Sequence, residues 1–167
     1  VLFVVSPKGE QEHTSKLVGE VAPELIGATM DGGTFDLDDH RGQWVLVNFF
    51  ATWCGPCRVE HPELVKFSES SAGVAQVVSV AFDDEADRVE QFFTEQGGDW
   101  PVITEDTGKS SIEYGVVKLP ESYLVDPSGT VTAKFVGGVK AAEVERVIAE
   151  RTAPSTQSGN PESGNPE

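Results

Sequence analysis

The sequence predicts an α/β fold: a mixed central β-sheet flanked by helices on both faces, with an added β-hairpin towards the N-terminus. Three observations lead there. Two nearly continuous apolar runs, residues 44–50 and 76–82, read as central strands, because a strand covered on both faces needs no polar alternation. Segments of helical period follow each of them. Further on, two short β-rich stretches flank Asp126-Pro127-Ser128-Gly129, with Asp, Pro and Gly where a type I turn wants them.

The elements follow in order. Residues 27–30 and 34–37 flank Asp31-Gly32-Gly33 and read as a small hairpin around a glycine turn. Residues 38–43 form a polar connector into the first central strand. Pro56 then sits where a helix begins, a position that tolerates its missing N–H. The helical pattern runs on through Val59, Leu64, Val65 and Phe67. After the second central strand, Asp83-Asp84 offers a cap and negative charge to a helix that packs through Val89, Phe92 and Phe93 and stops at Gly97-Gly98. Residues 100–104 are a short strand, 108–115 a helical turn, 122–125 and 130–135 strands, and 140–151 an amphipathic closing helix. The order β-α-β-α-(β)-α-β-β-α gives one mixed sheet.

The chain has 167 residues, one domain's worth, expected over residues 21–152. Residues 1–20 read as a linker. Its first five residues, Val1 to Val5, are too few for an anchor or a signal core; they read either as the stump of a longer apolar segment or as a fraying terminus. Residues 153–167 contain Ser-Gly-Asn-Pro-Glu twice, a composition that cannot offset its ordering entropy, so a disordered tail is expected. No stretch approaches the roughly 18 apolar residues that span a bilayer. The net charge of −16 repels nucleic acid and anionic lipid and reads as a solvated acidic surface.

Only two cysteines are present, in Trp53-Cys54-Gly55-Pro56-Cys57. A loop this short gains little from a cross-link, so the value of the pair is chemical. A strand running into this segment places Cys54 at a helix N-terminus, where unpaired N–H groups and the helix dipole favour the thiolate that attacks disulfides. Cys57 lies one turn deeper on the same face and can resolve the mixed disulfide. Cys54 is thus the nucleophile and Cys57 the resolving thiol. A zinc site would need about four ligands, and the scattered His13, His40 and His61 supply no second close pair. No metal and no cofactor beyond the Cys54–Cys57 disulfide is expected.

Residues 45–58, Val-Leu-Val-Asn-Phe-Phe-Ala-Thr-Trp-Cys-Gly-Pro-Cys-Arg, resemble the thioredoxin superfamily. More narrowly they resemble the membrane-anchored, extracytoplasmic thiol–disulfide reductases of the TlpA and DsbE type, which serve cytochrome c maturation. The likeness runs from about Val21 to Arg151 and includes the upstream hairpin and the connector Leu37-Asp38-Asp39-His40-Arg41-Gly42-Gln43. It implies a thioredoxin-like fold and, in Lys118-Leu119-Pro120-Glu121-Ser122, a cis-proline at Pro120, whose bond would open the backbone beside the cysteines to a substrate strand. It also implies a functional acid three residues after the second cysteine, the place of Glu60. At i+3 from Cys57, Glu60 shares that helix face and could accept or supply a proton as Cys57 reacts. Trp53, Gly55, Pro56, Leu119, Pro120 and Glu121 are the expected substrate-contacting residues, with Glu121 at the groove. His61 reads as structural, and Trp44 and Trp100 as core or rim.

One departure is informative. Thioredoxins carry a buried aspartate five residues before the motif's tryptophan; here Asn48 stands there and cannot titrate. The expected function is an extracytoplasmic, membrane-anchored reductase of protein thiols. Its target is the apocytochrome c Cys-x-x-Cys-His site, and a membrane dithiol donor recharges it. The alternatives are a general thiol oxidase or isomerase and a peroxiredoxin-like peroxidase. The peroxidase has Pro and Thr where this chain has Val47 and Ala51.

Overall fold

The computed structural model describes residues 15–106 and 108–154. Val1 to Val5 and the Ser-Gly-Asn-Pro-Glu repeat, on which the stump and tail readings fall, lie outside the described residues. Strands β1 (Ile26–Ala28) and β2 (Thr34–Asp36) pair antiparallel, and a 3-10 helix (Leu37–His40) leads into β3 (Trp44–Phe50). There follow α1 (Gly55–Ser70), β4 (Ala75–Ala81), α2 (Ala86–Gln96), β5 (Val102–Ile103), α3 (Lys109–Glu113), β6 (Glu121–Val125), β7 (Val131–Val136) and α4 (Ala141–Thr152).

The five-stranded sheet has the order β5-β4-β3-β6-β7. β3 is parallel to β4 and antiparallel to β6, and every residue of β3 is buried, which is why its sequence is an unbroken apolar run apart from Asn48. One register fact matters for the site. Asn48 stands opposite Ser79 on β4 and opposite Ser122 on β6, so three polar residues form a row across the middle of the sheet.

The faces are covered unequally. Leu46, Phe50, Val77 and Leu124 pack with both cysteines and with α1, α2 and α4 in one cluster. Val45, Val47, Phe49 and Tyr123 pack on the other side with Tyr114 at the end of α3 and with Leu25, Phe35 and Leu37 from the hairpin region. The hairpin region also closes the β5 edge: Met30 N–H donates to the Val102 carbonyl and Thr104 N–H to the Ala28 carbonyl. At the opposite edge, Gly19 N–H donates to the Val131 carbonyl and Val131 N–H to the Glu20 carbonyl. The segment read as a linker thus makes its first sheet contacts before residue 21, with Leu17 packed on the hairpin-side cluster.

One expectation is corrected. Asp83 and Asp84 do not cap α2; the N-cap position is Glu85, without a side-chain cap bond. Asp84 is turned back towards the residues before Cys54.

Candidate active site

The site forms where β3 ends and α1 begins. β4 ends there too, being parallel, and β6 starts there, being antiparallel, with Glu121 opposite Phe49. Cys54, Leu119-Pro120, the turn after β7 and the loop 82–85 therefore share one end of the sheet.

Cys54 is the N-cap of α1, with extended backbone, and Gly55 and Pro56 open the helix. Cys54 and Cys57 form a disulfide, and the Cys57 N–H donates to Cys54 Sγ at 3.3 Å. A sulfur receiving a helix N-terminal N–H is better stabilised as a thiolate than as a thiol. Both cysteines are buried, whereas Gly55, Pro56 and Trp53 are exposed, Trp53 by 58%.

The approach to Cys54 is held from two sides. Both oxygens of Asp84 accept from Thr52, one from its N–H and one from its hydroxyl at 3.0 Å. The Trp53 indole N–H donates to the Asp83 carbonyl at 3.0 Å. Arg58 donates to the Thr52 carbonyl at 3.2 Å and lies over the Phe92 ring.

Glu60 is 3% exposed. Its two oxygens accept from the Val139 N–H at 3.0 Å and from the Asn48 amide at 3.2 Å. Burial pushes its pKa up to about 7, against the opposing pull of these two donors. No cation is among its hydrogen-bonding partners, so desolvation dominates. The group is poised to exchange a proton near neutral pH, and it lies three residues along the same helix from Cys57.

Leu119 packs against both core clusters, and the Leu119–Pro120 bond is cis. Glu121 differs from expectation. It is 2% exposed and points away from the cysteine face, where its Oε2 pairs with Lys134 Nζ at 3.0 Å. It also accepts from the Val117 and Lys118 amides at 3.4 Å. Glu121 first, Ser122 second in β6 fixes this: alternate residues of a strand face opposite ways, and Ser122 faces Asn48.

Sequence reading did not single out Ser79, Ser122 or Lys134. A serine inside Val77-Val78-Ser79-Val80 interrupts an apolar run as Asn48 interrupts β3, and that shared interruption was the available signal. His61 is buried against Phe92, Phe93 and Trp100, bonded to the Gly97 carbonyl at 2.7 Å. Among the described residues no group of acidic, histidine or cysteine side chains is arranged to hold a metal, and no helix is long and apolar enough to cross a membrane.

Comparison with known proteins agrees with this geometry. The chain is similar to the thiol:disulfide interchange protein HelX of Rhodobacter capsulatus, 33% identical over 157 residues that span 91% of this chain and 84% of that protein. It is 41% identical over 98 residues to the thiol:disulfide interchange protein CycY of Rhizobium leguminosarum, covering 58% of this chain and 52% of the other. A solved thioredoxin-family thiol:disulfide interchange protein from Chlorobium tepidum superposes with a TM-score of 0.72 at 28% identity, over 82% of this chain and 97% of that one. The AhpC/TSA family model matches residues 18–134. A sheet that delivers a helix-capping cysteine pair, in a chain so matched, has one reading: this is a thiol–disulfide oxidoreductase of thioredoxin-like fold, and it belongs to the AhpC/TSA family.

Proposed function

We propose that the chain is a reductase of protein disulfides on the extracytoplasmic face of a membrane, held there by a segment N-terminal to the described residues. Its substrate is the Cys-x-x-Cys-His pair of apocytochrome c before haem attachment, and a membrane dithiol donor restores it. The observation that carries the reductase reading is Glu60, a buried carboxylate without a cation partner, at i+3 from the resolving cysteine. The cytochrome target, the location and the donor rest on the resemblance of residues 21–151 to the TlpA and DsbE type.

The Cys54 thiolate attacks one sulfur of the substrate disulfide, forming a mixed disulfide and releasing the first substrate thiolate. Cys57 gives its proton to Glu60 and attacks Cys54 Sγ. The second substrate thiolate leaves: Cys54 and Cys57 have been oxidised to their disulfide, and the two electrons they lost have reduced the substrate disulfide to two thiolates. A carboxyl with a pKa of about 7 is close to the ideal for that proton at neutral pH. Trp53, Gly55, Pro56, Leu119 and cis-Pro120 line the approach to Cys54, and Glu121 acts from beneath the 117–118 backbone.

One observation favours the opposite direction. The Cys57 N–H directed at Cys54 Sγ stabilises the reduced thiolate, as in an oxidant. A peroxidase has less support: Val47 and Ala51 are buried apolar side chains without a hydroxyl to activate peroxide. The reduction potential of Cys54–Cys57, measured by glutathione or dithiothreitol equilibration through Trp53 fluorescence, decides the direction. A value near or below about −220 mV makes the protein an electron donor; one near about −120 mV makes it an oxidant and overturns the reductase reading.

A further inference from the structure

The polar row in the middle of the sheet has a direction. The Trp100 indole N–H donates to Ser79 Oγ at 2.9 Å. The Ser79 hydroxyl faces Asn48 Oδ1 at 3.4 Å. The Asn48 NH2 group then donates to Glu60 Oε2 at 3.2 Å and to Ser122 Oγ at 3.0 Å. None of these five residues is more than 5% exposed, so water does not compete for their bonds.

Only one member of this row lacks a choice. A hydroxyl can donate or accept, and an amide can flip end for end, but an indole N–H only donates. Trp100 therefore occupies one lone pair of Ser79, and the Ser79 hydroxyl is directed at the oxygen end of Asn48. The nitrogen end is then turned to the carboxylate. The Trp100 ring reaches Ser79 because residue 98 is glycine: a Cβ there would stand 2.8 Å from the ring.

We propose that Trp100 and Ser79 are positioning residues for Glu60: they lock the Asn48 amide with its N–H side on the Glu60 carboxylate and so hold that carboxylate in its proton-accepting form. This rests on the reading that Glu60 exchanges the proton of Cys57. If Asn48 flipped, its oxygen would face Glu60 and would accept a hydrogen bond only from the protonated acid. The locked orientation opposes the burial that otherwise favours protonation. At its Trp100 end the row offers no exit for a proton, since the indole does not release its own.

The charged and titratable groups around Glu60 are few. On α1 they are Cys57, His61 and Glu63, with Glu63 accepting from the Ala141 N–H. The turn after β7 brings the Val139 N–H and the exposed Lys140, and β3, β4 and β6 present the neutral Asn48, Ser79 and Ser122. Glu121 and Lys134 lie on the opposite sheet face. Burial lowers the pKa of His61, against the opposing pull of the Gly97 carbonyl.

The test is the titration of the Glu60 carboxyl by 13C NMR, and the pH profile of disulfide exchange, in the wild type, Ser79→Ala, Trp100→Phe and Glu60→Gln. Ser79→Ala and Trp100→Phe are each expected to raise the Glu60 midpoint by about 0.5 to 1 unit, with the double variant shifted no further than the larger single one. The Asn48 side-chain NH2 signals are expected to broaden in both. A Glu60 midpoint unchanged in Ser79→Ala overturns the proposal, and the Ser79→Ala/Trp100→Phe double variant, which strands no buried indole N–H, decides the same question if the single variant is destabilised. A pH profile unchanged in Glu60→Gln would instead overturn the proton role of Glu60, while the NMR midpoints still decide what Ser79 and Trp100 do.

Discussion

Glu60 and Glu121 are buried to the same degree, 3% and 2% exposed, on opposite faces of one sheet, yet only Glu121 meets a cation. Glu121 has Lys134 at 3.0 Å, whereas Glu60 has two neutral N–H donors. The first arrangement neutralises a charge permanently. The second leaves a carboxyl that can go either way near pH 7.

The first prediction concerns stability against pH. The native state raises the Glu60 pKa from 4.5 to about 7, so between those values the folded protein holds a proton that the unfolded chain has lost. For this group stability is highest below about pH 4.5, falls as pH rises through the window, and is level above about 7. Urea unfolding of the oxidised wild type and Glu60→Gln checks this. The variant's stability relative to wild type is expected to improve by about 3 kcal/mol from pH 4 to pH 8. A difference independent of pH would mean that Glu60 titrates normally.

The second concerns the buried pair. Lys134→Met leaves the Glu121 carboxylate buried without its cation and is expected to cost about 3–5 kcal/mol in denaturant unfolding. Lys134→Met with Glu121→Leu is expected to recover most of that loss, because the stranded charge is gone. Equal losses in the single and double variants would show that Lys134 acts through packing alone.

Asp84 supports the third. Asp84→Ala removes both acceptors of Thr52, with an expected cost of about 1–3 kcal/mol. It also frees the Thr52-Trp53 segment. Trp53 fluorescence should then change less between the oxidised and reduced forms than in wild type, and exchange through Cys54 should slow. Unaltered fluorescence response and rate would show that Arg58 and the Asp83 carbonyl suffice to hold the segment.

The fourth separates the two sulfurs. Cys57→Ser should accumulate a mixed disulfide with a protein substrate, visible by mass spectrometry, because the resolving thiol is missing. Cys54→Ser should form none. The reverse pattern would exchange the roles assigned from the helix-capping position of Cys54.

Much of this was legible in the residues. The unbroken apolar character of residues 44–50 followed from burial on both faces, and the Asp126–Gly129 turn followed from backbone preferences; the Gly129 N–H does return to the Asp126 carbonyl at 2.9 Å. Cys54 and Cys57 were found because helical spacing and chain order already state their chemistry, and Glu60 because the resemblance to the maturation reductases puts a functional acid at its place. Two kinds of residue were not. Asp84 looked like a helix cap, and only the fold shows that a loop beside Thr52 makes a better use of it. The side to which Glu121 points depended on where β6 begins, and a shift of one residue turns a strand side chain to the other face. Ser79 and Trp100 are 21 positions apart, and their bond depends on the pairing of β4 with β5.

The cover over the sheet margins has a consequence for encounters with other chains. β5 is bonded along its whole length by residues 28–30, and β7 is bonded at its start by residues 19–21. An uncovered margin is a template on which a foreign strand can grow into an aggregate. A thiol–disulfide oxidoreductase that meets other polypeptides is exposed to that hazard at every encounter. Here residues 28–30 occupy the β5 margin and residues 19–21 the start of β7, which leaves a foreign strand less of the sheet to pair with.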